Sequence, residues 1–181
     1  EALAFSSDRL ADYGDRITLY KGTFAETIKN VSETPLVGLL ADFGVSSLQL
    51  DKMDRGFSFE SDGLDMRMDR DALLTASEVV NNYSQEQLSY IFKEYGEISK
   101  ADDLANEIIR VRNSKPIESG KELSQIARSV LYGGGKIHPA TLMFQAIRIE
   151  VNNELGEIEG LLDSLEQMQI SGLTVSLITF H

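Results

Sequence analysis

The stretch Leu36-Val37-Gly38-Leu39-Leu40-Ala41-Asp42-Phe43-Gly44-Val45-Ser46-Ser47-Leu48-Gln49-Leu50-Asp51 decides the fold of this 181-residue chain. Five of its first six residues are apolar, and the run breaks at Asp42 into Phe-Gly-Val-Ser-Ser. That is the pattern of a buried parallel strand whose carboxyl end carries a carboxylate and a tight loop. Ligands of open α/β sheets sit at the carboxyl ends of strands, which makes Asp42 a candidate site residue. An Asp in this position serves equally well as the cap of the next turn, so the strand alone leaves both readings open.

Working outward toward the amino terminus, Glu1 to Ala11 has helical spacing, with Leu3, Ala4 and Leu10 on one stripe and a stop at Tyr13-Gly14. Arg16-Ile17-Thr18-Leu19-Tyr20 alternates like a short strand, residues 25–31 read as a helix after Gly22-Thr23-Phe24, and the central strand follows Pro35. This αβαβ opening points to a doubly wound sheet. In the other direction, strand signals stop between Thr75 and Leu131. Ser84-Gln85-Glu86-Gln87 and Ser119-Gly120-Lys121-Glu122 are capping-box patterns. Leu88, Ile91 and Phe92, then Leu104, Ile108 and Val111, then Leu123, Ile126 and Val130 supply one apolar stripe per helix. Pro116 and Gly133-Gly134-Gly135 punctuate this helical insert. A helix is predicted from Pro139 to about Gln167, with Gly156 and Gly160 as weak points. Leu173 to Phe180 then reads as a strand beside 36–42, which would bring Asp42 and His181 to the same sheet edge.

Composition bounds the function. With 42% hydrophobic residues the chain can bury a core, and no run approaches the roughly 18 apolar residues of a membrane span. Zero Cys fits a reducing, cytoplasmic setting and excludes a Cys nucleophile or a Cys-based zinc site. Only two histidines, His138 and His181, are present, too few for a His-rich metal site. His138 before Pro139 is most simply a helix cap, and His181 is the better functional candidate because of where its strand ends. A net charge of −12 argues against a nucleic-acid binder, yet residues 93–148 hold nine basic against seven acidic residues. That stretch is either an RNA-facing surface or an ordinary solvated face. Arg148, Asn152 and Glu154 fall close to one helix face and predict a buried polar network or part of a site.

The blocks LADFGVSSLQLD, DRGFSF, LDMRMD and HPATLMFQAIRIEVNNEL, spread along the whole chain, resemble the bacterial methyltransferases that modify the exocyclic N4 of a cytidine in small-subunit ribosomal RNA. The resemblance implies a Rossmann-like class I S-adenosylmethionine-dependent methyltransferase sheet, incomplete here, with an all-α insert domain. Residues 1–53 and 138–181 would be the two parts of the core, and 54–137 a loop and the insert. It implies S-adenosylmethionine as cofactor, 16S ribosomal RNA in the small subunit as partner, no membrane and no metal. It leaves a homodimer open. The family's glycine-rich loop would precede Glu1 and its domain would continue beyond His181, so the chain is expected to be a fragment, inactive alone. Two strands of that fold would separate 16–20 from 36–42, and no ladder is expected between them.

Carried over onto matching positions, the cofactor contacts fall on Phe24, Asp42 and Gln49. Phe24 would line the adenine pocket, or else be a core aromatic at a helix start, and Gln49 would bond the cofactor or cap a turn. Asp42 and His181 are the candidates for the chemistry. The cytosine amino nitrogen is a poor nucleophile because its lone pair is delocalised into the ring, so it must be held in line with the sulfonium methyl while its protons find acceptors. Methylation at C5 ordinarily uses a Cys, and a Cys-free chain fits amino-group chemistry better. The turn Asp42-Phe43-Gly44-Val45 departs from the acidic or polar residue followed by Pro-Pro-aromatic that amino-methylating enzymes of this fold commonly carry. On the nucleotide side, Arg55 and Arg67 are expected to meet RNA phosphate and Phe57 to pack near the base. The competing reading is a loop pinned by Arg–Asp pairs such as Asp65 with the neighbours of Arg67, with Met66 and Met68 as packing residues. Other readings of the whole are a non-catalytic RNA-binding relative, or a methyltransferase for another substrate.

Overall fold

The computed structural model describes residues 2–31, 36–46, 49–50, 52–131 and 138–179. The chain forms two compact units, Glu1–Phe43 with Leu155–His181, and Gly44–Glu154.

The first unit contains helix α1 (Ala2–Arg9), a 3-10 stretch (Ala11–Arg16), helix α2 (Phe24–Val31) and strand β1 (Gly38–Asp42). Most of helix α8 (Glu154–Met168) and strand β2 (Thr174–Ile178) complete it. β1 and β2 pair in parallel, with Gly38 opposite Thr174 and Asp42 opposite Ile178. The expected neighbour relation of these strands therefore holds. The side chains alternate: Ala41 is buried and Leu39 partly so, and both join Ile28 of α2 and Leu161 of α8 in a small core, whereas Leu40 is 71% exposed. Gly160 lets α8 approach α2, because a Cβ there would come within 2.9 Å of the Ala25 methyl. It lies inside α8 rather than breaking it.

Segment 16–20 is not a strand. Ile17 is extended, but among the described residues β1 pairs with β2 alone and no ladder joins 16–20 to 38–42. A short alternating run becomes a strand only when a partner supplies ladder hydrogen bonds, and none does so among the described residues. The opening helix is also shorter than expected, ending at Arg9, with Gly14 at φ 53 kinking the turn that follows. None of its residues is buried.

The second unit packs helices α3 (Ala76–Asn82), α4 (Gln85–Glu94), α5 (Ala101–Arg112), α6 (Gly120–Val130) and α7 (Ala140–Asn152) around one core. Leu88, Phe92, Leu104, Ile108, Leu123, Met143 and Ile147 are fully buried in it. α7 packs against α3, α4 and α6 and lies in the compact unit Gly44–Glu154. Its apolar face, Met143, Phe144, Ile147 and Val151, is what those helices cover. The predicted single helix from 139 to 167 breaks at Asn153, which takes the left-handed conformation at φ 48. Asn tolerates that region as few other residues do, so it ends the helix where Gly156 and Gly160 do not.

Ser84 caps α4 in the predicted capping box with Gln87, and Thr75 caps α3 in the same way with Glu78. Ser119 accepts from the Glu122 amide, but the Glu122 carboxylate turns to Lys115 at 2.8 Å and the Glu118 amide at 2.9 Å. Arg112 donates to the carbonyls of Val80 at 2.8 Å and Tyr83 at 2.6 Å, closing the C-terminal end of α3.

Candidate functional site

The carboxyl end of β1 is built by backbone pairing. The Phe43 amide donates to the Ile178 carbonyl at 3.0 Å, continuing the ladder one residue past Asp42. Asp42 itself is exposed at the strand end. Phe43 meets Phe24 edge to face, with ring centroids 5.4 Å apart and planes at 88°. Phe24 is the first residue of α2 and remains 42% exposed. The structure therefore brings Phe24 to the residue adjoining Asp42, two candidates that lie 18 positions apart in sequence. An exposed carboxylate beside an exposed aromatic face offers hydrogen-bond acceptors and a flat apolar surface together.

In the second unit, Gln49 closes a turn with Ser46. Its Oε1 accepts from the Ser46 amide at 2.8 Å and from Ser46 Oγ at 3.1 Å, a turn contact of the kind one of its two readings described.

The loop after it is held by its own polar groups. Arg67 donates from Nε to Asp65 Oδ1 at 2.9 Å and from Nη2 to Asp65 Oδ2 at 2.7 Å. Its Nη1 donates to the carbonyls of Arg70 at 2.8 Å and Ala72 at 2.6 Å. Burial works against ionisation of Asp65, but the hydrogen bonds and charge of Arg67, with the charge of Arg55, outweigh it and hold the carboxyl below the usual carboxylate range. Arg55 is only 7% exposed, and its Nη2 donates to the carbonyls of Arg67 at 2.6 Å and Met68 at 3.2 Å. Its guanidinium carbon lies 5.9 Å from the centre of the Phe57 ring, which is 5% exposed and part of the helical core. Gly56 makes this hairpin-like turn passable: its φ is 75, and a Cβ would strike the Asp65 amide nitrogen.

Arg55, Phe57 and Arg67 are thus brought together, as parts of a pinned loop and not as side chains presented to solvent. The pinning pair is Asp65 with Arg67 itself. Met66 is fully buried and Met68 partly so, as packing residues.

The polar groups expected to form a network at the end of α7 are part-buried and divide between two sets of partners. Arg148 pairs with Glu154 at 2.6 Å, their side chains 20% and 13% exposed. Asn152 does not join that pair; it bonds the backbone of Met66 and Met68. His138 sits just before α7, with Nδ1 3.2 Å from the Ala140 amide nitrogen; because Arg128 can only donate, Nε2 is the acceptor and Nδ1 carries the proton, so the expected cap bond is not made. Sequence reasoning did not foresee that its ring stacks on Phe59 at 4.6 Å or that Arg128 donates to Nε2 at 3.0 Å. The spacing of these residues carries no signal for the contact. His181 lies outside the described residues. Among the described residues there is no helix long and apolar enough to cross a membrane and no group of three or more His, Asp or Glu placed to hold a metal ion.

Comparison with known proteins bears on this arrangement as a whole. The chain is 62% identical, over 181 residues, to a protein of a Sulfurovum species named ribosomal RNA small subunit methyltransferase H, covering all of the chain and 59% of that relative. Proteins of the same name from a Nitratiruptor species and from Campylobacter curvus are 54% and 50% identical, each match covering all of the chain. The chain thus spans 59% to 60% of the length of these curated relatives. The MraW methylase family matches residues 1–181, and the chain belongs to that family.

Proposed function

We propose that this chain is part of an enzyme that transfers a methyl group from S-adenosylmethionine to N4 of a cytidine in small-subunit (16S) ribosomal RNA. The observation that carries the reading is the match to the MraW methylase family over every residue, with relatives named as small-subunit ribosomal RNA methyltransferases. The parallel strand ending in exposed Asp42 beside Phe24 supports it, because that is where an α/β sheet holds its ligand. The two-stranded sheet is then read as a portion of a Rossmann-like class I sheet, and the helical unit Gly44–Glu154 as the domain inserted between β1 and α8.

Phe24 offers an exposed ring face for adenine and Asp42 offers carboxylate oxygens. The assignment of Gln49 to the cofactor rests on the family resemblance alone, because its Oε1 holds the Ser46 turn. The donor supplies an electrophilic methyl on a sulfonium: the N4–C bond forms as the S–C bond breaks, the bonding pair stays on sulfur, and N4 loses a proton. Asp42, and His181 at the end of the segment carrying β2, are assigned to accepting the hydrogen bonds of the amino group and orienting it. The loop of Arg55, Phe57 and Arg67 is assigned to the RNA side. Direct phosphate contact by Arg55 would require Nη2 to leave two carbonyls, so these residues act by giving the loop its shape. A cytoplasmic location follows from the substrate, and sedimentation velocity separates a monomer from a homodimer.

The test is calorimetric binding of S-adenosylmethionine to the chain and to a protein of the relatives' full length. The full-length protein is expected to bind, and Asp42→Ala to weaken binding about 100-fold, the loss of two charge-assisted hydrogen bonds. Absence of binding by the full-length protein would defeat the reading.

A further inference from the structure

We propose that Asn152 is a positioning residue for the RNA side of the reaction, acting through the backbone of the LDMRMD segment; the inference rests on the methyltransferase reading above. Asn152 is the last residue of α7, yet its side chain reaches a segment 84 to 86 residues earlier. Its Oδ1 accepts from the Met68 amide at 2.7 Å, and its Nδ2 donates to the Met66 carbonyl at 2.8 Å and to the Arg148 carbonyl at 2.8 Å. Acceptor and donors are all in use, and only an amide side chain of this length supplies both kinds.

What it grips is unusual backbone. Met66 is a non-glycine residue at φ 59, a conformation that persists only when its surroundings impose it. The opposite edge of the same segment is held by Arg55, whose carbonyl accepts from the Met66 amide at 2.9 Å and whose guanidinium takes the carbonyls of Arg67 and Met68. Met68 is therefore fixed through its N–H by Asn152 and through its C=O by Arg55. Arg55 carries a buried Nε with no partner among the described residues, so its placement depends on those carbonyls staying where they are. The Arg148–Glu154 pair steadies the end of α7 from which Asn152 projects, and the left-handed Asn153 completes that corner. Two sequence blocks more than 80 residues apart are joined through one amide group. This gives the last of them, HPATLMFQAIRIEVNNEL, a role the cofactor does not explain.

The test uses a protein of the relatives' full length and compares Asn152→Ala, Arg55→Ala and the double variant. Readouts are KM for small-subunit RNA, affinity for S-adenosylmethionine, and amide exchange at Met68. Asn152→Ala is expected to raise KM about 10- to 100-fold, as displacement of a positioned group does, with cofactor affinity unchanged within about twofold and Met68 protection lost. The double variant should be no worse than Arg55→Ala, because both act through Met68. If alanine prevents folding, Asn152→Asp, which keeps the acceptor for the Met68 amide, should fold and show an intermediate KM. An unchanged KM, multiplicative effects in the double variant, or an equal loss of cofactor affinity would overturn the proposal. Absence of methyl transfer by the unmutated protein would overturn the enzyme reading and this role with it, distinguishably from a failure of Asn152 alone.

Discussion

The guanidinium of Arg67 is shared between one carboxylate and two carbonyls of its own loop, and this has a pH consequence. Asp65, its partner, has a folded-state pKa below the ordinary value. A carboxylate of that kind stabilises the fold fully above the unfolded value of about 4, and the contribution is lost as pH falls through the lower folded value. Asp65→Asn is therefore expected to lower stability at neutral pH and to flatten the acid limb below about pH 4, measured by urea unfolding at a series of pH values. Parallel pH dependences in the two proteins would contradict this. At the same scale, the sequence showed that Arg148, Asn152 and Glu154 share a helix face. It did not show that Asn152 leaves the other two for Met66 and Met68, because a partner more than 80 residues away leaves no local trace.

Helices in this protein were legible where local chemistry sets them. The Ser84 cap, its Gln87 partner and the stripe Leu88, Ile91, Phe92 all act within a few residues of one another, and all are present. Ser84→Ala is expected to cost about 1 kcal/mol of the helical unit's stability in urea unfolding. No measurable loss would mean that the box is not formed in solution. Strands were less legible. β1 and β2 carry dense apolar sequence and pair as expected, whereas 16–20, with an equally regular alternation, has no ladder partner among the described residues. Alternation specifies a face, but a ladder needs a second chain segment, and that requirement is non-local. The helix break moved from the two glycines to Asn153 for a related reason: a glycine inside a packed helix costs about 1 kcal/mol, and the rest of α8 supplies that readily.

At the scale of the whole molecule, the two units differ in how much they bury. Among the described residues, the core of the second gathers two dozen buried apolar residues, and that of the first Ile28, Ala41 and Leu161. Local opening free energies follow buried apolar contact, so native-state hydrogen exchange of this chain should find α2, β1 and β2 exchanging well before α4, α5 and α7. Equal protection in both units would contradict that ordering. The net charge of −12 is explained neither by the fold nor by an RNA substrate, and the local excess of basic residues at 93–148 is partly tied up in ion pairs with Glu107, Glu122 and Asp62. The candidate site was legible as a strand end because position in an α/β sheet predicts ligand binding. The loop of Arg55, Phe57 and Arg67 was legible only as a set of residue types, since whether an Arg meets a ligand or its own backbone depends on carbonyl positions that only the structure shows.

The measurement that tests the central claim most directly is mass spectrometry of nucleosides after a protein of the relatives' full length acts on unmodified small-subunit RNA with isotopically methyl-labelled S-adenosylmethionine. The account predicts label in N4-methylcytidine, and its loss with Asp42→Ala. Label on ring carbon C5, or no label in RNA, would contradict it.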